Sequence, residues 1–170
     1  MIRFLYIAFL LFGLSSCWPT AFMNPNDTSY PEEWKQFYIN PIEVGSPTAP
    51  SNYGATLSEN LRTGIQNNTR LKLSSKLNDA QVQISGIVAA YSTAPNAIQQ
   101  NDQVAQNRLT ISVNFTIITP TKGLEEIKMT STRFSDYGAG EQLVDVENRL
   151  IEEINQQIVQ DVINKLLSNW

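Results

Sequence analysis

Histidine is absent from the 170 residues, and cysteine occurs once. These two absences remove most enzyme chemistry. Without an imidazole there is no Ser-His-Asp or Cys-His relay, and the usual zinc ligand sets cannot be assembled. One cysteine makes no internal disulfide, so stability has to come from packing. No glycine-rich phosphate loop or EF-hand spacing is present. The adjacent carboxylates Glu125 and Glu126 sit near a strand, where neighbouring side chains point to opposite faces, so they do not make a dyad. Charged residues are only 16% of the chain, and the formal net charge is −4. That balance argues against nucleic acid, whose protein partners carry a basic face. It also argues against a polybasic hold on anionic lipid. The expectation is a protein that is not an enzyme and needs neither cofactor nor metal.

What is present begins at the amino terminus. Met1-Ile2-Arg3 carries one positive charge, Phe4 to Leu14 is nearly all apolar, and Leu14-Ser15-Ser16-Cys17 closes the segment. These are the parts of a secretory signal peptide. The apolar run of about eleven residues is too short to span a bilayer, which takes roughly twenty. Leu-Ser-Ser-Cys resembles the lipobox of bacterial lipoproteins, in which the thiol is diacylglycerated, the signal is cut off and the new amino terminus is acylated. Cys17 ends the apolar run and does not sit inside a periodic element, which favours lipid attachment over a buried structural thiol. Each buried methylene of the acyl chains contributes about 0.8 kcal/mol, and two or more chains anchor stably. Removal of residues 1–16 leaves 154 residues, with eleven basic against sixteen acidic side chains and a net charge of −5. That length suffices for one domain with its own core. The organisation read here is signal peptide 1–16, lipidated tether 17–36 and a single domain 37–170.

The tether holds Pro19, Pro25 and Pro31 among Asn, Asp and Ser, without apolar period, and reads as extended. Its aromatics Trp18, Phe22, Tyr30 and Trp34 either pack back on the domain or lie at a membrane surface. Phe37 to Val44 reads as a strand that Pro41 places at an edge or a bulge. Tyr53, Leu57, Leu61 and Ile65 recur every four residues, the stripe of an amphipathic helix of about fourteen residues. Ser51 or Thr56 is the expected cap, and Gly64 is expected to allow close packing on a sheet. Arg70 to Ser74 is a short strand with Leu71 and Leu73 on one face, and Gln81 to Tyr91 a longer one. Leu109, Ile111, Val113, Phe115 and Ile117 alternate with Thr110, Ser112, Asn114 and Thr116, the pattern of a half-buried strand. A last strand runs from about Glu125 to Phe134, and Asp136 to Gly140 reads as a loop. Asp145 to Ser168 is a long helix with Val146, Leu150, Ile154, Ile158, Val162 and Leu166 at intervals of four. The order implies an α+β two-layer sandwich. One mostly antiparallel sheet of about four to five strands is packed on one face by two helices, and its other face is polar and wet.

Between the two best strands, Thr93 to Asn107 reads as a loop of about fifteen residues, long for a hairpin. It is nearly uncharged and rich in amides, with Ile98 and Val104 as isolated aliphatics. One reading is a floppy tip. The other is a partner contact, with Gln99 and Gln100 bonding to a partner's backbone and Ile98 and Val104 filling its pockets.

Tyr91-Ser92, Pro95, Ala97-Ile98 and Asn107-Arg108-Leu109-Thr110-Ile111 resemble the LPS-assembly lipoprotein (LptE) family of Gram-negative bacteria. So do Thr69-Arg70-Leu71-Lys72-Leu73 and the ending Ser168-Asn169-Trp170. The likeness runs from about residue 37 to the end. One departure is Trp18-Pro19-Thr20-Ala21-Phe22 with its long Pro/Asn-rich tether, where family members often carry a short Gly/Tyr/Ser/Phe stretch. The resemblance implies a non-catalytic, lipid-anchored, periplasm-facing outer-membrane subunit lodged in the lumen of a large β-barrel, LptD. It also implies a role in lipopolysaccharide insertion. A charge-poor surface suits a polar barrel interior. Lipopolysaccharide binding in the family runs through basic residues, and phosphate calls for Lys or Arg near loop ends. By position these are Arg70, Lys72, Lys122, Lys128 and Arg133, whereas Arg108 reads as hairpin framework. The alternative is a freestanding periplasmic lipid carrier or envelope accessory lipoprotein, which requires an enclosed apolar cavity.

Overall fold

The alternation of Leu109 to Ile117 is realised at the centre of the sheet. A computed structural model describes residues 31–96, 106–119 and 125–168. Strands β1 (Gln36–Ile39), β2 (Glu43–Val44), β3 (Lys72–Leu73), β4 (Val82–Asn96), β5 (Gln106–Thr119) and β6 (Glu125–Gly138) form one sheet in the order β3-β1-β4-β5-β6, with β2 also on β4. Helix α1 is Tyr53–Asn68 and helix α2 is Leu143–Leu167. β4, β5 and β6 are an antiparallel meander, while β1 and β2 run parallel to β4 and β3 runs parallel to β1. Most paired residues are therefore antiparallel, in a mixed sheet covered on one face by the two helices. Among the described residues no helix is long and apolar enough to cross a membrane.

Pro41 does not put the first strand at an edge. It breaks the strand: Asn40 N donates to Ile84 O and Gly45 N to Val88 O, so β1 and β2 lie end to end along β4. The break receives α1. A Cβ on Gly54 would stand 2.3 Å from Ile42 O, and Ser58 Oγ accepts from Ile42 N. Only a glycine fits so close to the carbonyl.

Helix α1 buries Tyr53, Leu57, Leu61 and Ile65, as the spacing predicts. Its cap is Asn52, without a side-chain bond to the first turn; Thr56 Oγ1 instead donates to Asn52 O at 3.3 Å. The expected role of Gly64 is corrected too. A Cβ there would lie 2.2 Å from Cγ1 of Val159, so this glycine brings α1 against α2 and not against the sheet. On α2, Leu150, Ile154, Ile158, Val159, Val162, Ile163 and Leu166 are buried. Each such side chain contributes about 1.5–3 kcal/mol of burial. Trp34 joins the same core, the first of the two readings for that aromatic.

Three strand limits differ from the expectation. Leu71 is buried but Leu73 is 39% exposed, because the edge strand β3 pairs over two residues only. The expected loop 93–107 is ordered at both ends: Thr93 to Asn96 pair with Gln106 to Leu109, since main-chain pairing needs no apolar alternation. The expected loop at 136–138 continues β6, held by pairing with Gln106 to Arg108. A bulge between Val88 and Ala90 inserts Ala89, which moves the core-facing positions from even to odd and turns Tyr91 inward.

Candidate functional site

At the root of the β4–β5 hairpin, on the face away from the helices, register places Ala94, Arg108 and Asp136 side by side. The Arg108 guanidinium holds the Asp136 carboxylate at two points, Nε to Oδ1 at 2.7 Å and Nη2 to Oδ2 at 2.9 Å. It also lies 3.6 Å from the ring centroid of Phe134, a cation–π contact. Asn96 Nδ2 adds a bond to Asp136 Oδ2 at 3.4 Å. The hydrogen bonds from Arg108 hold the Asp136 carboxyl below the usual carboxylate range. Phe134 stays 46% exposed. Arg108 is thus framework for the hairpin, as its sequence context implies, and its planar fork explains why arginine occupies the site.

The rest of that face is a ladder of hydroxyls and amides. Ser112 and Thr132 hydroxyls meet at 2.8 Å, and Thr130 Oγ1 donates to Asn114 Oδ1 at 2.8 Å. Ile87 is the one large apolar side chain strongly exposed on β4 among the described residues.

On the helix side, β6 is polar from Ser131 to Ser135, where β5 is apolar. Ser131 Oγ donates to Asp161 Oδ2 at 2.5 Å, and Arg133 Nε donates to the same oxygen at 2.8 Å, with Nη2 on Oδ1. Ser135 Oγ donates to Glu153 Oε2 at 2.5 Å, and Arg149 pairs with that carboxylate. The bond from Arg133 pulls Asp161 below its ordinary value, and the bond from Ser135 does the same for Glu153. Deeper in, Tyr53 Oη donates to Asn155 Oδ1 at 2.7 Å and Tyr91 Oη bonds to Glu147. Burial pushes both phenols far above their usual range.

A groove of about 710 Å³ runs between the helices, lined by Asn60, Asn67, Asn148, Gln156 and Gln160 with Val159 beneath. Ile151 and Ile163 join Val159 in its lining, and the mixed amide and aliphatic groove lies open at the surface, whereas a lipid carrier needs an enclosed apolar cavity. Among the described residues no group of three or more His, Cys, Asp or Glu side chains converges on a point that would hold a metal ion.

Of the five expected lipopolysaccharide cations, the four within the described residues do not converge. Arg70 and Lys72 are exposed at the β3 edge, whereas Lys128 and Arg133 are on β6 at the opposite edge. Lys128 faces away from the helices and pairs with Glu126 at 3.3 Å; Arg133 faces them and is held by Asp161. Lys122, Cys17, Ile98, Gln99, Gln100 and Val104 lie outside the described residues. Sequence reasoning missed the Asp161 and Glu153 contacts and the buried Asn155, because each depends on which face of α2 meets β6 and α1. The repeated Ser131 and Ser135 at inward positions were the available signal.

A family model described as LptE, lipopolysaccharide-assembly, matches residues 34–166. The chain belongs to the LptE family. The family is a non-enzymatic one of lipopolysaccharide-assembly lipoproteins. No curated protein matches the sequence. The hypothetical protein CT253 from Chlamydia trachomatis shares the fold at TM-score 0.53 and 13% identity, over 80% of this chain and 99% of that one. Protein XCC0632 from Xanthomonas campestris does so at TM-score 0.53 and 10% identity, over 82% and 90%. The uncharacterized lipoprotein B from Nitrosomonas europaea does so at TM-score 0.51 and 17% identity, over 79% and 83%. At these identities the likeness concerns the LptE-like fold alone.

Proposed function

We propose that this LptE-family protein is an outer-membrane lipoprotein, cut before Cys17 and acylated on it. It faces the periplasm and seats in the lumen of an LptD-like β-barrel, where it assists barrel assembly and lipopolysaccharide insertion. The family match over residues 34–166 carries the reading. The sheet face away from the helices supports it: it is rich in hydroxyls and amides, and its charges Arg108 with Asp136 and Lys128 with Glu126 are already paired, a surface that a polar lumen accepts. Barrel contact is assigned to Ile98, Gln99, Gln100 and Val104, which fall in sequence between β4 and β5. Glycolipid phosphate contact is assigned to Arg70, Lys72, Lys122, Lys128 and Arg133; Arg70 and Lys72 lie at the β3 edge and Lys128 and Arg133 at the β6 edge, so these four act as separate charges.

The test is affinity isolation of the lipidated protein from detergent-solubilised membranes, read by mass spectrometry. A large β-barrel protein recovered in stoichiometric amount is the expected result. Recovery of the protein alone under gentle extraction refutes the barrel assignment. Cys17→Ser should leave full-length precursor in the inner membrane, and normal sorting of that variant overturns the lipid assignment. Ile98→Asp with Val104→Asp should weaken barrel recovery while the circular dichroism of the isolated protein stays unchanged.

A further inference from the structure

Among the described residues strand β6 is paired along one side only, and two observations fix which main-chain groups face outward. On the far side of β4, Ile84 O and Val88 O accept from Asn40 and Gly45. Even-numbered residues of β4 before the bulge thus turn toward β1 and β2, and odd-numbered ones toward β5. Carried through the continuous pairing of β5 with β6, this alternation points even-numbered β6 residues away from the sheet. Independently, Gly138 N donates to Glu141 Oε2 at 2.7 Å and Gly138 O accepts from Glu141 N at 2.9 Å. The edge is capped at that end. Between the cap and the start of β6, Glu126, Lys128, Thr130, Thr132, Phe134 and Asp136 present N–H and C=O outward, and no strand among the described residues meets them. No proline or bulge interrupts them, although exposed edges are commonly blunted by such devices.

Beside this edge runs α2. Between the two lies a hollow of about 490 Å³ lined by Met129, Ser131, Arg133, Asp161 and Asn164. A strand edge next to a helix offers main-chain bonds for affinity and a trough for alternate side chains. We propose that the β6 edge takes up a single extended segment of another polypeptide, with hydroxyl or amide side chains on the helix side. A second copy of this chain does not fit there. Asp161 and Glu153 hold α2 over β6, so antiparallel pairing of β6 with its copy would bring two such helices, on the same face, to about the 4.8 Å strand spacing. Packed helices need about 8–10 Å. A lone strand has no covering helix, and the polar lining of the hollow calls for side chains that hydrogen-bond. The proposal stands apart from the barrel assignment, because it concerns the edge opposite β3 and not the hairpin tip.

The experiment uses the full chain in detergent micelles and a synthetic blocked peptide of alternating threonine and serine. Hydrogen exchange at Lys128, Thr130, Thr132 and Phe134 should slow by roughly tenfold once the peptide is about ten times its dissociation constant. The same peptide N-methylated on every amide should give no slowing, since neither of its edges keeps a donor. Thr132→Pro removes one outward donor and no main-chain bond to β5, only the hydroxyl contact with Ser112, and should abolish the effect at that peptide concentration. Unchanged exchange at millimolar peptide, equal slowing by the methylated peptide, or a dimer mass for the free protein in light scattering overturns the proposal.

Discussion

β5 and β6 lie side by side under the same helix layer and follow opposite chemistries. On β5 the helix-side residues Leu109, Ile111, Val113, Phe115 and Ile117 are all buried and aliphatic or aromatic. On β6, Ser131, Arg133 and Ser135, opposite Val113, Ile111 and Leu109, are joined to carboxylates of α2, and apolar character returns only at Met129 and Ile127. The difference follows from position. β5 is enclosed by strands on both sides and by the core above, so only apolar groups avoid a desolvation cost there. β6 lies at the rim, where the flank of α2 already turns polar and ion pairs remain partly hydrated. Apolar burial holds the centre of the sheet, and hydrogen bonds hold its margin.

Exchanging the two chemistries tests this. Ile111→Ser, which gives β5 the residue type of β6, should cost about 3–5 kcal/mol through lost burial and an unpaired hydroxyl. Urea unfolding would measure it, and a loss under 1.5 kcal/mol contradicts the contrast. Asp161→Ala leaves Ser131 and Arg133 without their acceptor and should cost about 1–3 kcal/mol, discounted toward the lower figure because Arg133 is partly exposed. Acid should act on the same margin. The folded-state values of Asp136, Glu153 and Asp161 are depressed, so their contribution is complete above the unfolded carboxylate values of about 4. It is lost as pH falls through the depressed folded values. The urea midpoint should hold between pH 7 and 5 and drop by pH 3, with a shallower drop in Asp161→Ala; an equal drop in both proteins removes Asp161 from the account. The smallest effect is expected for Ser131→Val, within about 1 kcal/mol, because Arg133 still satisfies Asp161 and a rim methyl gains little.

The contrast also shows what can be read from a chain of letters. The periods of β5, α1 and α2 were legible because each buries a continuous stripe. The weaker alternation of β6 was legible only as weakness, since Ser131 and Arg133 take their meaning from Asp161, thirty and twenty-eight residues away. Gly64 showed that something approaches closely but not that Val159 does. The Arg108–Asp136 clamp required the register of three strands. Arg70 and Lys72 look comparable in sequence to Lys128 and Arg133 yet occupy the opposite edge, because order along the chain does not report order across a sheet.

One consequence follows from the direction of the strands. Gln36 begins β1 beside the start of β4, and Ser168 follows α2 near Met129 at the same end. Asn96 and Gln106 face each other at the other end of β4, about 45 Å away at roughly 3.3 Å per residue. Both ends of the described chain therefore share one pole, and the hairpin occupies its antipode. A molecule moored through its leading segment would present that hairpin as its distal tip, and a label at either end would leave the tip untouched.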